Sequence, residues 1–284
     1  MTAAAGVEAV LTRLLGGAVR LETLKDKPGR RRTSRAVGSA GTAIVKFYAS
    51  GRALDVAARV AALQGGPSEP VLPRVLAVDA AMHVVALSEV PGAPLRLALL
   101  AGDADGCARA GAVLGSWHRA WWGRRPSPLR PHTAERELEI LRARAASAGA
   151  ALGAAVRHRA MSLAAPWQCP TVVHRDLYEE QILLGDRVGL IDLDDVALGP
   201  PELDIGNLVA HVELLGVRAG VPLTGPLRAL LAAYRRCGPV LDRALAARCR
   251  RLALLRLACI HDAPELLQRL RGSIATFMGA TVVG

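Results

Sequence analysis

The chain has 284 residues, 51% of them hydrophobic and 3% aromatic, with 36 Lys and Arg against 25 Asp and Glu for a formal charge of +11. That length and composition bury enough surface for one large domain or two lobes and exclude a disordered chain. Its apolar runs, the terminal GSIATFMGATVVG among them, are shorter than the roughly 18 to 20 residues of a membrane span, and no signal-peptide pattern opens the chain.

A cytoplasmic protein with no membrane partner is therefore expected. The dispersed arginines, scarce aromatics and lack of a recognised binding module point away from nucleic acid. Five cysteines are scattered without zinc-ligand spacing and read as reduced thiols.

In chain order, residues 18–48 alternate as strands do, with Pro28-Gly29 and GSAG at 38–41 as turns. AVRLETL, TSRAV and TAIVKFY form three antiparallel strands in this reading. GRALDVAARVAAL (51–63) has helical spacing and stops at GGPSEP, and VLPRVLAVD and MHVVALSEV add two strands. After PGAP at 91–94 the pattern predicts helices near 104–122, 134–160, 203–216, 226–236 and 240–260, and another after Pro264. Two short strands, QILLG and RVGLID, interrupt them and meet at Gly185-Asp186. The expected fold is α+β and bilobal. Residues 1–90 form a five-stranded lobe with one helix, and residues 91–284 a mainly helical lobe.

Charge singles out one segment. Residues 174–204, HRDLYEEQILLGDRVGLIDLDDVALGPPELD, hold nine acids and only two bases, Arg175 and Arg187, within a basic chain. Asp176 in a loop and Asp192 at the end of an apolar strand flank the short hairpin, which brings them close. Such a pair suits phosphoryl transfer, one carboxylate orienting an attacking hydroxyl and the other holding magnesium with an amide oxygen, here that of Gln181. Asp194 follows Asp192 on the same strand face. Lys46 is one of only three lysines against 33 arginines and lies inside the apolar strand TAIVKFY. A compact ammonium there can bind phosphate oxygens; an edge lysine facing water is the bland alternative.

These residues carry a resemblance to the aminoglycoside phosphotransferase family, small-molecule kinases of the protein-kinase-like fold. HRDLYEEQ resembles its HGDLHxxN catalytic loop, VGLIDLDD its metal-binding strand, and GPPELDIGNL its GDPxxDLA segment. IVKFY, LSEVPGAPL and GSWHRAW extend the likeness along most of the chain. The resemblance implies that Asp176 is the catalytic carboxylate and His174 supports its loop. Asp192 would bind Mg2+, Lys46 the α- and β-phosphates, and the backbone near Ser88, Glu89 and Val90 the base of ATP or GTP. Asp204 would brace the catalytic loop.

Three departures stand out. Gln181 replaces the family's asparagine. The helix after Lys46 lacks the usual glutamate, leaving Asp55 to pair with Lys46 or with Arg59 at i+4. KPGRRR lacks a G-x-G-x-x-G loop, so phosphate contacts there rest on backbone amides and on Arg30 or Arg31, or the tip is simply solvated. HRD is shared with protein kinases, but LDDVALGPPELD leaves no room for an activation segment, so the acceptor is a small-molecule hydroxyl. Glu179, Glu180, Asp194 and Asp195, where they line the acceptor site, favour a cationic compound such as an aminoglycoside-like antibiotic, in resistance or self-protection. A sugar, a specialised metabolite, or a catalytically silent nucleotide-binding relative acting as a sensor are the other readings.

Overall fold

The computed structural model describes residues 3–64, 66 and 69–271. The end of the expected C-terminal lobe, with the apolar run at 272–284, lies outside the described residues. Helix α1 (Ala3–Leu15) leads into strands β1 (Arg20–Lys27), β2 (Arg31–Gly38) and β3 (Gly41–Tyr48), then α2 (Ala53–Ala62), β4 (Val75–Asp79) and β5 (Val84–Ser88). The five strands make one antiparallel sheet in the order β1-β2-β3-β5-β4.

Period-two alternation gives this sheet two faces. Ala43 and Val45 of β3 and Val84 and Ala86 of β5 pack with Leu11 and Leu15 of α1. Tyr48, Val85 and Leu87 point the other way and join Val56 and Val60 of α2 in the main core. The small lobe thus carries a second helix, α1, beyond the one expected. A sheet with two apolar faces needs a cover on each, and Leu11 and Leu15, spaced i and i+4, supply it.

The chain crosses to the second lobe through β6 (Ala93–Pro94), α3 (Leu95–Ala101) and α4 (Ala104–Ala120). Helix α3 was not expected; Pro94 opens it and left-handed Gly102 closes it, a start and stop pair that marks even a two-turn helix. The single helix predicted over 134–160 is two, α5 (Ala134–Ala146) and α6 (Ala150–Met161). Ser147 ends the first, and Gly149, in an extended conformation, starts the second. The apolar spacing resumes on the far side, so periodicity alone hid the break.

Strands β7 (Thr171–Val173), β8 (Ile182–Leu184), β9 (Val188–Leu190) and β10 (Ala197–Gly199) follow, β6-β8-β9 forming one small sheet and β10-β7 another. Three helices complete the lobe: α7 (Pro201–Ala219), α8 (Thr224–Cys237) and α9 (Arg243–His261). The segment after Pro264 is a 3-10 helix to Arg271. Gly111 lets α4 lie directly on α8, for a Cβ there would come within 2.0 Å of the Leu230 carbonyl oxygen. Among the described residues no helix is long and apolar enough to cross a membrane.

The lobes are joined by more than the connection after Ser88. Val71 pairs with the β9 strand through Val71 N–H to Val188 O (2.8 Å) and Leu190 N–H to Val71 O (2.9 Å). The main core cluster runs from α2 into α4, α7 and α8.

Candidate active site

Lys46 is carried on the cleft face of β3 and is 4% exposed. A buried ammonium requires partners. It has two: its Nζ donates to Asp192 Oδ1 at 2.6 Å and to Asp194 Oδ1 at 2.5 Å. Both acids reach it because Asp192 adopts a left-handed backbone (φ 61°) that ends the strand and starts a 3-10 turn, Leu193–Asp195. Aspartate tolerates that region better than most residues. Asp194 therefore lies on a helical turn and not on the strand face expected for it.

Arg31 closes the cluster from β2, donating to Asp192 Oδ1 at 2.8 Å and Oδ2 at 3.0 Å and also to Asp194. Tyr48 Oη donates to Asp194 Oδ2 at 2.8 Å. Burial alone would raise the Asp192 pKa, but the charges of Lys46 and Arg31 hold it well below the usual carboxylate range. Tyr48 is pushed above its ordinary value by burial and then by the Asp194 charge, so its phenol stays protonated.

Lys46 thus finds its second carboxylate at Asp194. Asp55 is exposed on α2 and makes neither of the pairs expected for it; Arg59 instead donates to the Asp194 carbonyl at 2.7 Å. The distance of Asp194 from Lys46 in the chain gave the sequence no local signal for this pairing.

One stripe of α7 holds the loop after β7. Asp204 accepts from His174 N–H and Arg175 N–H, both at 2.7 Å, Asn207 Nδ2 donates to the Leu177 carbonyl at 2.6 Å, and His211 stacks on Tyr178 with ring centroids 4.8 Å apart. The anchors are spaced i, i+3 and i+7, one face of a helix, a signal that was legible in DIGNLVAH. Asp204 is fully buried and also meets His118 Nε2 at 3.1 Å. His174 bonds through Nε2 to the Ile191 carbonyl at 2.8 Å, tying the loop to the residue before Asp192. Asp176 projects from this loop without a hydrogen-bond or ion-pair partner among the described residues.

Two cavities flank the cluster. One of about 540 Å³ is lined by Lys46, Ser88, Glu89, Val90, Glu180, Gln181 and Asp192 together with apolar Ile44, Leu87, Leu183 and Ile191. The Val90 amide makes no hydrogen bond within the described residues. Ser88 is used internally, its Oγ accepting from Arg74 N–H and its own amide donating to Arg74 O, both at 2.8 Å, and Glu89 meets Arg35 at 3.0 Å. The second cavity, about 320 Å³, is lined by Asp176, Asp195, Arg30 and several other cations. Arg31 and Asp192 line both, so the cavities meet there.

The carboxylates expected to attract a cationic acceptor are either buried or paired. Glu179 is buried, and burial raises its pKa. Glu180 faces the larger cavity and pairs with Arg96 at 2.8 Å. Asp194 belongs to the Lys46 cluster, and Asp195 pairs with Arg52 at 3.0 Å and Arg175 at 3.4 Å. None offers a free carboxylate to the cavity that contains Asp176.

For a metal, the available donors are Asp192 and Gln181, whose amide nitrogen lies 3.5 Å from Asp192 Oδ2. Turning that amide presents its oxygen at the same place. No cluster of three His, Cys, Asp or Glu occurs among the described residues. A carboxylate with one amide oxygen fits magnesium, which takes its remaining ligands from phosphates and water.

No curated protein is significantly similar to the chain in sequence. Among solved structures, a choline kinase from Cryptosporidium parvum Iowa II shares 12% identity with a TM-score of 0.65, covering 96% of this chain and 93% of that one. An amicoumacin kinase in complex with AMP-PNP, Ca2+ and Ami shares 14% at a TM-score of 0.60, covering 91% and 86%. A thermostable mutant of aminoglycoside phosphotransferase APH(4)-Ia, in a ternary complex with ADP and hygromycin B, shares 15% at 0.59, covering 97% and 100%. Likeness at these identities establishes the bilobal protein-kinase-like fold. Residues 29–247, from the tip of the β1–β2 hairpin into α9, match the APH phosphotransferase enzyme family, and the chain belongs to that family.

Proposed function

We propose that the protein moves the γ-phosphoryl group of ATP or GTP to a hydroxyl of a small molecule. The observation that carries this reading is the unpartnered Asp176 carboxylate, lining a cavity that shares Arg31 and Asp192 with a second one lined by Lys46. The larger cavity, apolar with a free Val90 amide, suits a nucleotide base, and its phosphates would extend toward Lys46.

Asp176 accepts a hydrogen bond from the acceptor hydroxyl and orients its oxygen toward the γ-phosphorus. As the new O–P bond forms, the bond to the β-phosphate oxygen breaks, the hydroxyl proton passes to Asp176 and a nucleoside diphosphate leaves. Lys46 neutralises charge on the donor phosphates. Asp192 and Gln181 would hold magnesium, which supplies charge neutralisation when bound. The catalytic gain is mostly positioning, with the carboxylate contributing about 10² to 10⁴-fold.

The test pairs binding with turnover. Thermal unfolding should show stabilisation by ATP or GTP with magnesium, on the order of 2.7 kcal/mol at a hundredfold excess over Kd. Asp192→Asn should remove the metal-dependent part. Asp176→Asn should keep the stabilisation and lose transfer by at least about 10²-fold. Near-normal transfer in Asp176→Asn would remove that residue from the role, and nucleotide binding without transfer to any acceptor would favour a catalytically silent relative.

A further inference from the structure

The cavity that holds Asp176 has the opposite charge from the one expected. Its lining includes seven cations, Lys27, Arg30, Arg31, Arg52, Arg144, Arg175 and Arg256, against four carboxylates. Three of those carboxylates are already paired: Asp192 and Asp194 with Lys46 and Arg31, and Asp195 with Arg52 and Arg175. Only Asp176 is left over.

The cations are not equivalent. Lys27, Arg30 and Arg31 come from the β1–β2 hairpin, where the two cavities meet, and can be taken up by the phosphates of a nucleotide. Arg144 is on α5, with Ile140 beside it, facing Arg256 and Ile260 of α9. This wall belongs to the cavity of Asp176 and not to the larger one. Arg256 is held by Glu137 Oε1 at 2.9 Å and by Asn207. The Arg144 side chain is exposed and has no hydrogen-bond or ion-pair partner among the described residues.

We infer, resting on the phosphotransferase reading, that the acceptor is an anionic alcohol, a hydroxyl compound bearing a carboxylate or phosphate, whose anionic group is bound by Arg144. Guanidinium groups pair with both anions bidentately, and a cavity lined by one sign of charge concentrates ligands of the other. Ile140 and Ile260 give the carbon skeleton an apolar wall. A polycationic acceptor would meet one free carboxylate, Asp176, among several cations.

Phosphate transfer from ATP with magnesium should be measured on matched acceptors: glycerate against glycerol, gluconate against sorbitol, and kanamycin as a cation. The anionic member of each pair should have a kcat/KM at least about tenfold higher, roughly the effect of one good charged contact. Arg144→Gln should collapse that ratio toward one, mainly through KM, and Arg144→Lys should restore part of it. Preference for kanamycin or the neutral members, a ratio unchanged in Arg144→Gln, or no transfer to any of them overturns the anionic acceptor. Transfer to any acceptor leaves the phosphotransferase proposal standing whichever way the ratio falls, and loss of stabilisation by nucleotide and magnesium, read in the same samples, removes both readings.

Discussion

At the scale of single residues the critical choice is Asp194. Its side chain is 6% exposed and accepts from Lys46, Tyr48 and Arg31, so together with Asp192 it balances one buried and one half-buried cation. Removing one partner of a buried ion pair leaves an uncompensated charge and costs about 3 to 5 kcal/mol. Asp194→Asn is expected to lower stability by that order in a denaturant titration. A change smaller than about 1 kcal/mol would mean that Asp192 alone satisfies Lys46 and Arg31. The sequence marked Lys46 as special for its isolation among arginines, and it marked the absence of a helix glutamate. It could not name the substitute, because Lys46 and Asp194 are 148 positions apart.

Among the elements, α7 does most to shape the site. Asp204, Asn207 and His211 anchor residues 174, 175, 177 and 178, fixing the backbone on both sides of Asp176. Asn207 works in two directions, since its Oδ1 also accepts from Arg256. Asn207→Ala should cost about 1 to 3 kcal/mol, the penalty for leaving buried polar groups unsatisfied, and kcat should fall more than the nucleotide KM rises. Equal effects on both would place the damage in the larger cavity, lined by Lys46 and Val90, instead. This stripe was readable as helical spacing, and Asp204 was expected to brace the loop. Asn207 and His211 were not singled out, because a polar residue on a helix face declares its partner only once the helix is docked.

At the scale of the whole molecule, buried charges make stability depend on pH. Glu137 is 2% exposed; burial by itself would raise its pKa, yet Arg256 and His132 bring it down from 4.5 to about 2. A depressed carboxylate pKa contributes stability that is complete above the unfolded value and lost as pH falls through the folded one. The unfolding free energy should therefore drop as pH falls from about 5 to about 2, and Glu137→Gln should flatten that slope. An unchanged slope in the variant would assign the acid sensitivity to other carboxylates, with Asp192 and Asp195 the next candidates, since both are also depressed.

The sequence by itself determined the two-lobed α+β organisation, the five strands of the small lobe and the carboxylates that flank the β8–β9 hairpin. Each depends on local period, turn chemistry or short spacing, which the backbone obeys wherever the segment is placed. Tertiary structure decided the rest. It set α1 against the second face of the sheet, divided the helix of 134–160, gave Lys46 its second carboxylate and brought Arg144 to the cavity of Asp176. Burial makes a charge seek partners and packing selects them from distant parts of the chain, so the sign of the cavity that holds Asp176 follows from which charges remain unpaired and not from the order of residues.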